Sequence, residues 1–260
     1  MLLENKNVVL YGGGGAIGHG VATTFAREGA RVFLTGRSRE KLDPLAEAIT
    51  DAGGAVEVAV VDALDEQAVD EHARAVVAAA GGIDVSLNLV SRGDVQGIPL
   101  ADMTVTDFTR AVTTGLTANF ITARAAARHM IERGSGVILA LNSGSAHSSP
   151  MMGSTGPADA AIDTFVRNLA MKVGPHGVRV VGLWVAGIPE TLSPERLAGV
   201  NSTMQLDEAA FQGVLDHLAS MRMLRRSPSL GEVADTAAFL ASDRSALTGV
   251  FVNATGMFPS

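Results

Sequence analysis

Along the chain, short runs of apolar, β-branched residues alternate with longer stretches in which apolar and polar positions repeat at helical spacing. The predicted pairs are Asn7–Tyr11 then Ile17–Glu28, Arg31–Leu34 then Arg39–Ala52, and Ala55–Val61 then Glu66–Ala80. They continue with Val85–Leu89 then Asp107–Arg133, Val137–Leu141 then Ala158–Val173, and finally Arg179–Val185. The strands read as continuous apolar runs, as expected where helices cover both faces of a parallel sheet. The fold class is therefore α/β, a doubly wound parallel sheet built by right-handed crossovers. No linker, repeat or low-complexity tract interrupts the rhythm, which predicts one domain over residues 1–260. Only Ile188–Pro228 departs from it, with Pro189 and Pro194 early on and one predicted helix, Asp207–Ser220. That stretch reads as a substrate lid or, equally, as an oligomer contact.

Composition narrows the class of protein. Hydrophobic residues are 47% and charged residues 18%, ample for a buried core. The net charge of −7 offers no basic footprint for nucleic acid or an anionic membrane. Without cysteine there are no disulfides, thiolate metal sites or cysteine nucleophiles, and the six scattered histidines lack ligand spacing, so no metal is expected. The opening MLLENKNVVL lacks the basic and apolar regions of a signal peptide, and no apolar run reaches the roughly 20 residues of a membrane helix. The expectation is a cytoplasmic protein with a small-molecule substrate and neither nucleic acid nor membrane as partner.

The motif richest in chemistry is VVLYGGGGAIGHGVATTFAREGARVFLTGR, a strand running into four glycines, then a helix, then a second strand. Gly13, Gly15 and Gly18 satisfy G-x-G-x-x-G, while Gly12, Ala16 and Gly18 approximate a wider G-x-x-x-G-x-G. Either register needs positive φ in the turn, close backbone approach to a pyrophosphate, and the free N–H groups of a helix start. Gly12, Gly13, Gly14, Gly15, Ala16, Ile17 and Gly18 are the candidate diphosphate-binding residues of a Rossmann-type unit. The second strand ends Thr35-Gly36-Arg37 with no carboxylate before Glu40. An acid there would bond a ribose 2′-hydroxyl, whereas Arg37 can pair a 2′-phosphate, so NADP(H) is preferred and NAD(H) is the alternative. Asp62 and Ala63, closing the third strand, are placed for the adenine, and Asn88 for the adenine ribose.

With these residues in view, the chain resembles the short-chain dehydrogenase/reductase family. The resemblance rests on the glycine segment, Asp62, IDVSLN (Ile83–Asn88), LAMKVGPHGVRVVGL (Leu169–Leu183) and SLGEVADTAAFLASDRSALTGVFVNATG (Ser229–Gly256). It implies NADP-dependent interconversion of a carbonyl and an alcohol, usually in a homotetramer, with a dimer as the other homo-oligomer to expect. It also implies a Ser holding the substrate oxygen, a Tyr exchanging its proton, a Lys four residues later lowering the Tyr pKa, and a supporting Asn. Ser143 in LNSGSAH matches the serine. Counting back from GPHGVRV puts Thr155 at the tyrosine and Asp159 at the lysine; a shift of one gives Gly156 and Ala160. The single tyrosine of the chain, Tyr11, lies on the glycine-turn strand, where packing is its expected role, and the Asn position reads Gly115.

Three of four roles are thus vacant. Ile188 and Thr191 in VAGIPET fall where a nicotinamide carboxamide would lie. His147 has the right acidity for proton exchange, and a Ser143–His147 pair oriented by Asp159 would follow triad logic. Arg92 and Asp94 lie where substrates approach, or in a solvated loop. Two functions follow: an oxidoreductase of this family with a non-standard site, or an NADP(H)-binding protein without hydride transfer.

Overall fold

The computed structural model describes residues 1–147 and 152–256, apart from the side chain of His147. Seven strands form one parallel sheet in the order β3-β2-β1-β4-β5-β6-β7. They are β1 (Asn7–Tyr11), β2 (Arg31–Gly36), β3 (Ala55–Val60), β4 (Val85–Asn88), β5 (Gly136–Asn142), β6 (Val178–Trp184) and β7 (Phe251–Asn253). The main crossover helices are α1 (Ala16–Arg27), α2 (Arg39–Asp51), α3 (Glu66–Ala80), α4 (Val105–Arg133) and α5 (Thr155–Val173). Successive residues of one strand serve opposite faces, which is why the runs are continuously apolar. Val8, Leu10, Val32, Leu34, Val85 and Leu87 pack with Val21 and Phe25 of α1 in one core layer. Val9, Tyr11, Phe33, Ile138 and Val180 pack with α3, α4 and α5 in the other.

The pattern is less uniform at the edge. Although the sequence of β3 reads as buried, every position of the strand is exposed or half-buried because only β2 pairs with it. Tyr11 fills space, as expected: it is buried with its ring edge-on to His72, and burial raises its pKa, with Asp70 adding to the effect.

Chain order reverses between β1 and β4, so a crevice opens at the carboxyl ends of these neighbouring strands. The stretch 188–228 contains two α-helices where one was predicted: after a 3₁₀ turn at Pro189–Thr191, α6 (Pro194–Val200) precedes α7 (Glu208–Ser220). Ser193 accepts a hydrogen bond from the Arg196 N–H, and Pro194 occupies the first helical position. That start signal was legible, but seven residues are too few for an apolar period to show. No residue of α7 is fully buried, so the helix covers the outside of the fold. At the C-terminal side, α8 (Leu230–Ala241) opens with a Ser229–Glu232 capping box and packs on α1. Among the described residues, no helix is long and apolar enough to cross a membrane.

Candidate active site

The glycine turn divides its work between shape and contact. Gly12 alone among the turn's glycines has positive φ (+81°), and a Cβ there would lie 2.8 Å from the Leu89 carbonyl carbon and the Val90 nitrogen. A Cβ on Gly18 would lie 2.5 Å from the Gly13 oxygen, so this glycine lets α1 pack against its own turn. Gly13 donates its N–H to the Thr35 carbonyl, tying the turn to β2. Gly12, of the wider register, and Gly18, shared by both, are fixed by main-chain contacts, while Gly13, of the narrower one, is crowded by the Leu34 side chain. At Gly15 an added Cβ would meet only the Gly12 oxygen at 3.9 Å, and Gly15 caps α1 without a side chain. Room and uncapped N–H groups therefore face the cleft, which suits a diphosphate. Ile17 is partly buried and packs its side chain against the core.

A cleft of about 630 Å³ runs from this turn over the ends of β2, β3 and β4. Gly14 and Gly15 line it on one side, Arg37 and Lys41 at the β2 end, and Asp62 and Ala63 at the β3 end. Asp62 also accepts from the Leu64 N–H. Asn88 ends β4, where its side-chain oxygen accepts from the Val90 N–H and closes the turn, and Leu89, Val90 and Ser91 line the cleft there. Ile188 has its side chain in the core and a carbonyl that accepts from both the N–H and hydroxyl of Thr191.

Beyond the cleft, at the ends of β4 and β5, lies a closed ionic cluster. Arg92 donates through Nη1 to Asp159 Oδ1 at 2.6 Å and through Nε and Nη2 to the two oxygens of Asp94. The second oxygen of Asp159, Oδ2, accepts from the Ser143 N–H, the Ser145 N–H and the Ser143 hydroxyl, the last at 2.7 Å. Thr155 donates its hydroxyl to Asp94 and accepts from Gln96. Asp159 is completely buried and the side chain of Arg92 only 14% exposed. Burial works to lower the Arg92 pKa, but the Asp94 and Asp159 carboxylates outweigh it and hold the guanidinium above its usual range.

This cluster revises two expectations. Both oxygens of Asp159 are taken, so it is not poised to bond a ribose or orient a histidine. Arg92 and Asp94 are not a solvated loop: Arg92 pairs with both Asp94 and Asp159, and both side chains are largely buried. The side chain of His147 lies outside the described residues; its backbone closes a short 3₁₀ turn, Ser145–His147. Gly115 has a role that sequence reasoning missed: a Cβ there would lie 2.6 Å from Arg92 Cδ, so the glycine is the seat of the arginine. The signal was present as a glycine and an aspartate at two positions that broke the family pattern.

A family model described as "Enoyl-(Acyl carrier protein) reductase" matches residues 14–255. The chain belongs to the short-chain dehydrogenase/reductase family. Among relatives of this short-chain dehydrogenase/reductase, "Oxidoreductase asL5" of Sarocladium schorii is 30% identical over 98% of this chain and 96% of its own length. The gluconate 5-dehydrogenase of Gluconobacter oxydans (strain 621H) is 30% identical over 75% of each chain. The crystal structure of NAD+-bound xylitol dehydrogenase superposes with a TM-score of 0.88 at 25% identity, covering 99% of this chain and 100% of that one.

Proposed function

We propose that the chain binds NADP(H) and interconverts a carbonyl and an alcohol, with a proton path that does not use a Tyr-x-x-x-Lys pair. The observation that carries the reading is the glycine-turn cleft, open at the start of α1 and flanked by Arg37 and Lys41 at its adenosine end. A bound nicotinamide supplies the hydride donor or acceptor; the chain's own residues must hold the substrate oxygen and handle its proton. Ser143 and Ser145 hydroxyl oxygens are 2.8 Å apart, and Ser143 donates onward to Asp159. Ser145 therefore donates to Ser143, forming a hydroxyl chain that ends on a carboxylate. The names of two relatives, gluconate 5-dehydrogenase and xylitol dehydrogenase, make hydroxylated carbon chains the first compounds to try.

The decisive experiment follows NADPH oxidation with a carbonyl panel and NADP+ reduction with the matching alcohols. His147→Ala should lower turnover by about 100-fold or more while cofactor affinity stays the same. An unchanged rate would remove His147 as the acid. Arg37→Asp should weaken NADP(H) binding by roughly tenfold to a hundredfold and strengthen NAD(H), because a charge-assisted pair to the 2′-phosphate is replaced by repulsion. Equal wild-type affinity for the two cofactors would sink that expectation.

One observation favours a second reading, binding without hydride transfer: the Ser143 hydroxyl is already committed to Asp159. Measurable NADPH binding with no turnover of any carbonyl or alcohol would select it.

A further inference from the structure

The two ends of the crevice differ in charge. At the adenosine end, Arg37 and Lys41 face Asp62 across the cleft, leaving a positive excess. At the other end, over β4, β5 and β6, the charged groups among the described residues are the half-buried Arg92 and Asp94 with the buried Asp159, then the buried Asp163 and Arg222. Asp163 accepts from the Asn142 amide and the Trp184 indole, with no arginine among these contacts. The Arg222 guanidinium donates to the Ala186, Gly187, Leu218 and Thr255 carbonyls and to the Ser227 hydroxyl. Nearby, Glu190 bonds the Leu230 N–H and Arg196 the Thr191 carbonyl, an acid and a base that offset each other. Arg110 and Asp107 pair directly at the rim. Among the described residues three aspartates thus stand against two arginines, an excess of one negative charge in surroundings where water screens poorly.

A dinucleotide whose diphosphate lies at the start of α1, where strand order reverses, must send its two halves to opposite sides of that point. The adenosine half belongs over β2 and β3, so the nicotinamide half falls toward the Arg92–Asp159 cluster. From this polarity, and resting on the NADP(H)-binding reading above, we propose that the cleft selects the oxidised cofactor. NADP+ presents a 2′-phosphate to the positive end and a cationic ring to the negative end, whereas the ring of NADPH is neutral. Arg92, seated on Gly115 and held between Asp94 and Asp159, is the positioning residue that keeps the negative excess at a single charge.

Calorimetric titration of the apo protein with NADP+, NADPH and 2′,5′-ADP tests this without any turnover. The expected result is that NADP+ binds at least about fivefold more tightly than NADPH, as one unit charge in a partly screened site allows. Asp94→Asn, which keeps the shape of the side chain and removes its charge, should bring the ratio toward one and leave 2′,5′-ADP unchanged. Tighter or equal binding of NADPH by the wild type overturns the proposal even if the variant does not fold. A ratio unmoved by Asp94→Asn overturns it too. If 2′,5′-ADP binds and the two dinucleotides do not differ, only this inference fails; if none of the three binds, the NADP(H) reading fails with it.

Discussion

Asp159→Ala should lower folding stability by about 3–5 kcal/mol, the usual result of removing one partner from a buried ion pair. The carboxylate is completely buried and accepts from a guanidinium, two backbone N–H groups and a hydroxyl. An alanine would leave Arg92 with Asp94 alone and strand the N–H groups of Ser143 and Ser145, each orphaned donor costing roughly 1–3 kcal/mol. These losses share partners and do not add, so the lower total is the sound expectation. In a chain of this size it corresponds to a fall in melting temperature on the order of 10 °C.

The comparison with Arg92→Ala carries the physical content. If the two residues form one unit, the double variant should be less damaged than the sum of the single ones, by about 1–3 kcal/mol in a thermodynamic cycle. Strict additivity would mean that the pair is incidental and that Asp159 matters only to the backbone of the loop after β5. Gly115→Ala probes the same unit from behind, because its Cβ would press on the stem of Arg92 rather than on its charge.

The fold was legible because its signals are local. Continuous apolar runs marked every strand from β1 to β6, and α3 fell at its predicted limits, between the Asp65 cap and Gly81. Asp65 accepts from the Ala68 N–H, and Gly81 takes the left-handed conformation that ends the helix. The glycine turn was visible for the same reason. Its register was not, since deciding which glycine bears positive φ required knowing that β4 presses against Gly12. The ionic cluster was illegible in a stronger sense. Arg92, Gly115 and Asp159 come from three separate elements, and nothing in any one of them declares a partner. Read singly, Gly115 and Asp159 are defects in a familiar pattern and Arg92 is a loop residue; only the packing of α4 and α5 against the loop after β4 turns them into one arrangement. Long-range charge pairing leaves no period in a sequence, whereas burial does.

Gly12→Val should cost about 2–5 kcal/mol of stability and reduce NADP(H) affinity by on the order of 100-fold. The stability cost has two sources. A β-branched residue at φ +81° is strained by about 1–2 kcal/mol or more. Its Cβ would also meet the main chain of Leu89 and Val90 at 2.8 Å, where no side chain can rotate away, adding roughly 1–3 kcal/mol. The affinity loss follows from which backbone must yield. Leu89, Val90 and Ser91 form a wall of the cleft, and Arg92 comes next, so a displaced β4 exit would disturb the cofactor bed and the ionic cluster together. Gly15→Ala is the discriminating companion. Its Cβ has open space, so thermal unfolding should barely change, yet the methyl would stand in the phosphate cradle and weaken binding. Calorimetry and thermal melts on the two variants therefore separate shape from contact. A Gly12→Val protein that binds NADP(H) like the wild type would show that the turn does not support the cleft.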